Sequence, residues 1–177
     1  MGIDLTCGDI NYHCSYSYWH TFRCNMIIAT IKYIKKYYEA NKENMFDYEI
    51  QHMEDIIDVF NTIETKVNET EKINGETHNS IMIYFINKCL FDEDFMENLI
   101  MFDIYGLFIL CNKSDSVGYY SVGNSYDIFN LFEKITPTLI NNNEIANNEE
   151  IHLFNDVMEV INVFEESKNT ETKVIIS

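Results

Sequence analysis

MGIDLTCGDINYHC, residues 1–14, is the stretch on which the fold class turns. Ile3 and Leu5 alternate with Asp4 and Thr6, and Ile10, Tyr12 and Cys14 alternate again. Cys7-Gly8-Asp9 lies between the two runs and carries turn residues. A period of two on both sides of a turn reads as a β-hairpin. Almost everything that follows repeats at helical spacing, so this hairpin separates a helix-rich α+β protein from an all-helical bundle. The first is the expectation: five or six helices with a small antiparallel sheet. Lys173-Val174-Ile175-Ile176 is a candidate further strand of that sheet, because β-branched residues in a row suit a strand better than a frayed tail. The other reading of residues 167–177 is such a tail. The all-α bundle stays open, since a short apolar strand and a buried helical turn look alike in sequence.

Outward from the hairpin, Ser15, Ser17 or Thr21 can cap a helix in which Phe22, Met26, Ile27, Thr30, Ile31, Ile34 and Tyr38 form an apolar face. Ile50, Met53, Ile56, Ile57, Phe60 and Ile63 step by three and four and mark a second helix over 47–66. Ile81, Phe85 and Cys89 share one side of a third, over 79–91. Asp92, Glu93 and Asp94 suit the positive end of a helix that runs over 95–102. Leu107–Leu110 is a buried strand or a buried helical turn. Tyr119 and Tyr120 suit a short strand, and Asn124 is a plausible cap for a helix that Pro137 ends. The last helix spans 150–166, with Ile151, Phe154, Val157, Met158, Ile161 and Phe164 inward. Polar residues 67–78, with Asn74-Gly75, and Asn-rich residues 138–149 read as mobile loops. The whole of 1–177 reads as a single globular domain.

The chain holds 12 Lys and Arg against 29 Asp and Glu, a net charge of −17. Such a balance disfavours direct nucleic-acid binding, which rests on cations displacing phosphate counterions, and disfavours anionic membranes. It favours solubility and a basic protein partner. No leader peptide and no membrane span is visible, so an intracellular, non-secreted protein is expected, with its five cysteines as free thiols. Met1-Gly2-Ile3-Asp4-Leu5-Thr6 fits a loose myristoylation pattern, but an alternating strand explains the same residues. Abundant Ile and Asn, with 12 Tyr and 12 Phe, follow AT-rich codons and point to a large DNA virus, a protist or a low-GC bacterium.

Three features carry chemistry. Cys7, His13, Cys14, His20 and Cys24 are zinc-ligating types, and His20 with Cys24 would share a helix face. Their spacing matches no standard finger or ribbon and includes no Cys-x2-Cys, so no cofactor is expected and zinc is the metal to test for. Cys14 or Cys24 next to His13 or His20, with Arg23 nearby, is a candidate nucleophile. Trp19 with Tyr12, Tyr16, Tyr18 and Phe22 is either an aromatic core corner or a partner surface. Loop 112–124 is wrong for calcium: the register that puts Gly118 at the sharp turn places Lys113, Val117 and Asn124 at ligand positions. Ser114, Asp115 and Ser121 in it are instead candidate polar site residues.

Met1-Gly2-Ile3-Asp4-Leu5, Cys14-Ser15-Tyr16-Ser17-Tyr18-Trp19-His20-Thr21-Phe22-Arg23, Gly106-Leu107-Phe108 and the 112–121 loop together resemble a loose group of small uncharacterised proteins from bacteria, phages and large DNA viruses. In that group the loop often reads Ser-Asp-Cys-Asp-Gly; here Ser116 and Val117 stand in place of Cys and Asp. The resemblance implies that the two blocks form one site, with His13, Cys14, Trp19, His20, Arg23, Ser114, Asp115 and Ser121 as its candidates. Two functional classes follow. One is an acidic, non-enzymatic protein-interaction module, favoured by the charge. The other is a small enzyme or metal-binding protein whose site joins 13–24 with 112–121. A Bcl-2-like helical bundle is a third option, and the two N-terminal strands speak against it.

Overall fold

The computed structural model describes residues 2–73, 77–113, 118–139 and 148–177. Two strands, β1 (Gly2–Cys7) and β2 (Ile10–Ser15), pair antiparallel from Gly2 opposite Ser15 to Cys7 opposite Ile10. The two-residue turn between them puts Gly8 at φ 58°, a left-handed value that glycine takes without a Cβ penalty. The C-terminal strand β4 (Val174–Ile176) lies antiparallel against β1, and β3 (Gly118–Tyr120) closes the order β2-β1-β4-β3. The protein is thus helix-rich α+β, and residues 174–176 are a strand, paired with the hairpin.

The helices are α1 (Tyr16–Asn41), α2 (Asp47–Ile73), α3 (Thr77–Phe91), α4 (Glu93–Met101), α5 (Gly106–Asn112), α6 (Val122–Leu139) and α7 (Asn148–Thr170). Alternation in the strands sends Ile3, Leu5, Cys7, Tyr12, Cys14, Tyr120, Val174 and Ile176 to one buried face. That face rests on α7, where the Phe164 ring meets Tyr120 at 5.3 Å. A single cluster of buried side chains runs from Ile3 to Ile176 and takes in Phe22, Phe60, Phe85, Phe95, Leu110 and Phe132.

Several boundaries differ from the sequence reading or settle what it left open, each for a physical reason. Leu107–Leu110 is helical, the body of α5. Gly106 opens it because a Cβ there would meet the Asp127 carbonyl oxygen of α6 at 2.1 Å; only glycine allows this approach. Asp103, at φ 54°, separates α4 from α5. Its N–H donates to Ile100 O at 3.0 Å and the Ile104 N–H donates to Leu99 O at 2.9 Å, a Schellman closure with an aspartate in the usual glycine place. Ser121, not Asn124, caps α6: its Oγ accepts the Asn124 N–H at 3.1 Å. Pro137 lies inside the last turn of α6, where little helix follows to be disrupted, and Thr138 Oγ1 donates to the Ile135 carbonyl at 2.6 Å. α2 continues to Ile73, so 67–73 is helix; 74–76 lie outside the described residues. Of loop 138–149, residues 140–147 lie outside them too, and α7 starts at Asn148. Met158 is exposed, and Val160 and Val163 are buried in its stead.

Candidate functional site

Ser15 caps α1, accepting the Tyr18 N–H at 3.2 Å, and this fixes where the 13–24 block turns from strand to helix. His13 and Cys14 are neighbours in β2, so the strand sends them to opposite faces of the sheet. His13 is exposed and its Nδ1 lies 2.8 Å from Asp4 Oδ1, directly across the hairpin. Cys14 is buried beside Tyr12, and burial raises its thiol pKa. This pair therefore does not meet. His20 and Cys24 do share a helix face, with Nε2 and Sγ 3.9 Å apart. Burial pushes the Cys24 thiol up to about 12, away from the thiolate that nucleophilic attack requires. Cys89 is likewise pushed up to about 12 by burial, and Cys7 and Cys111 are also raised. All five cysteines are free and buried.

Trp19 is core. Its ring stacks on Phe22 at 5.2 Å, and Tyr12 approaches at 6.4 Å. Arg23 is the only arginine of the chain and is 1% exposed. Its Cζ sits 5.9 Å from the Trp19 ring centroid. Its Nη1 donates to the Lys113 carbonyl at 3.1 Å and to the Cys111 carbonyl at 3.5 Å. These carbonyls end α5, where the helix dipole favours a cation. Arg23 thereby brings the 13–24 block against the start of the 112–121 loop. Ser114 and Asp115 lie outside the described residues, and Ser121 is taken up by capping α6. Among the described residues no group of three or more His, Cys, Asp and Glu is placed to hold a metal, and no helix is long and apolar enough to cross a membrane.

Open concavities among the described residues include two that lie elsewhere. One, of about 310 Å³, sits among Tyr33, Tyr37, Glu49, Met53, Met101 and Asp103. Both of its carboxylates are engaged: Glu49 Oε2 accepts the Phe46 N–H at 2.9 Å and Asp103 Oδ2 pairs with Lys134 Nζ at 2.9 Å. The other is a double groove along α3 and the start of α4. One half, of about 290 Å³, has Tyr84, Asn87 and Phe91 in its wall. The adjoining half, of about 250 Å³, has Asp55, Asp58, Asp92 and Asp94. Lys88 borders both and is ion-paired with Asp92. The inward spacing of Ile81, Phe85 and Cys89 hides this face in the sequence. The signal that marks it is what remains once the inward positions are removed: Ile83, Leu90 and Phe91 put large apolar side chains on the outer side of α3 as well.

Comparison with protein-family models, with curated proteins and with solved structures found no match.

Proposed function

We propose that this chain is a non-enzymatic protein-interaction module, acting inside the cell, whose partner is a basic protein. The observation that carries the reading is the net charge of −17, which attracts and steers basic surfaces and repels nucleic acid. The placement of the reactive residue types supports it. The thiols are buried with raised pKa values, Trp19 packs in the core, and Arg23 is committed to backbone carbonyls. A reducing compartment suits five free cysteines. The test is binding of the purified chain to a panel of basic proteins across a salt series. Affinity that falls steeply with salt for at least one of them is the expected result, since exposed charge pairs are screened within about 10 Å at 0.1 M salt. A panel without any salt-sensitive binding would overturn the reading.

One observation favours the second class, an enzyme or metal site joining the two blocks: Arg23 places them in contact. Native mass spectrometry with metal analysis separates the classes. A stoichiometric zinc that is lost in His20→Ala would move the second class to the front.

A further inference from the structure

We propose that the outer face of α3, with the groove shared by α2 and α4, docks a basic amphipathic helix of the partner. This rests on the interaction reading above and gives it an address. Ile83 is 57% exposed, Leu90 53% and Phe91 85%. Large apolar side chains gathered on one exposed side of a helix mark an interaction surface, and among the described residues nothing covers this side of α3. Ile83 and Leu90 stand at i and i+7 on one side of α3, about 10 Å apart at 1.5 Å per residue, with the polar Asn87 between them. That is the footprint of two turns of a partner helix laid along α3, the helix-in-groove mode of recognition.

Charge decides which helix. From Ile81 to Phe91, α3 carries Lys88 as its one charged side chain. Immediately beside it, Asp55, Asp58, Asp92 and Asp94 set four carboxylates against that single ammonium. Lys88 is already paired with Asp92, and among the described residues neither Asp58 nor Asp94 has an ion-pair partner. An exposed apolar face that reaches, through Phe91 and Lys88, a groove of unneutralised carboxylates is complementary to a helix with a leucine-type face bordered by lysine or arginine. A second copy of this chain fits worse, because it would bring its own carboxylates to the same border, and like charges across an interface are costly.

The probe is a synthetic leucine–lysine amphipathic peptide, four helical turns long, titrated calorimetrically into the full chain. A lysine–glutamine peptide of equal charge is the control. The leucine–lysine peptide is expected to bind at least about ten-fold more tightly than the control, which is the size of effect a buried apolar anchor makes. Phe91→Ser and, independently, Leu90→Ser are expected to weaken it about ten-fold; both side chains are exposed enough that the fold is retained, as circular dichroism will show. Asp58→Asn with Asp94→Asn is expected to weaken it and flatten its salt dependence. Glu159→Gln with Glu165→Gln, which removes the same charge from the exposed side of α7, is expected to stay within about two-fold. If the α7 pair weakens binding as much as the groove pair, the groove assignment fails and the interaction reading stands. If neither peptide binds, both fail. If the chain forms a dimer in native mass spectrometry that Phe91→Ser dissociates, the occupant is a second copy and the assignment is overturned.

Discussion

The corner where α1 meets α5 and the face of α3 and α4 use side chains in opposite ways. The corner holds the rare and reactive types: the lone arginine, the lone tryptophan, and the buried thiols Cys24 and Cys111. The face holds ordinary types: phenylalanine, leucine, isoleucine and aspartate. Yet the corner is closed and the face is open. Arg23 is 1% exposed while Phe91 stands almost clear of the protein. Residue type marks chemistry only when the fold leaves the group accessible. Here the guanidinium ties two backbone carbonyls, and the thiols behave as small apolar side chains.

The largest expected effect tests the closed side. Arg23→Ala removes a buried side chain, its cation–π approach to Trp19 and the donor to the Cys111 and Lys113 carbonyls. Orphaned buried acceptors cost about 1–3 kcal/mol each, and the cavity adds to that. We expect a loss of at least about 3 kcal/mol in urea unfolding. Arg23→Lys should recover only part of it, because an ammonium cannot reproduce the planar fork. A loss below about 1 kcal/mol for Arg23→Ala would break the comparison and return Arg23 to the list of accessible site residues.

How far the sequence carried the fold depended on whether the deciding contact was local. The hairpin was legible because alternation and Gly8 are local signals, and the strand at 174–176 because β-branched residues are. The core faces of α1, α2 and α3 were legible from spacing. Leu107–Leu110 was not, since four apolar residues suit a strand or a helix equally. What settles it is distant: the fit of Gly106 against the Asp127 carbonyl and the closure at Asp103. The cap of α6 was misassigned by three residues because serine and asparagine are equally good caps, and only the bond from the Asn124 N–H to Ser121 Oγ distinguishes them. At the site, alternation in β2 already separates His13 from Cys14. The reach of Arg23 across 90 residues to Lys113 has no sequence signature.

Asp92 lies between the two regimes, being both a structural cap and part of the open groove. Its Oδ1 accepts the Phe95 N–H at 3.0 Å, and Lys88 bonds its other oxygen. The Lys88 bond, then the Phe95 N–H, hold its carboxyl below the ordinary value of 3.8. A folded-state pKa below the unfolded one contributes stability that is present above the unfolded pKa and is lost as pH falls through the folded value. Asp92→Ala should therefore cost about 1 kcal/mol at pH 7, the usual worth of a cap. Asp92→Asn should cost less, and its deficit should shrink as pH falls below 3.8, the ordinary carboxyl value, and the folded carboxyl takes up its proton. A deficit that persists there would assign the effect to geometry and not to charge.

The smallest expected effect on stability belongs to Phe91→Ser, and its smallness sharpens the comparison. With 85% of the residue in water, Phe91 gains little from folding, so the substitution should move the urea midpoint by no more than about 0.5 kcal/mol equivalent. A large aromatic side chain that the fold barely uses still adds exposed apolar area to an otherwise acidic surface. If Phe91→Ser instead destabilises by about 2 kcal/mol or more, the ring is packed in solution. The open face is then part of the core, and the contrast with the Arg23 corner disappears. If stability holds while binding of the leucine–lysine peptide drops about ten-fold, the two measurements together separate a side chain kept for the fold from one kept for a partner.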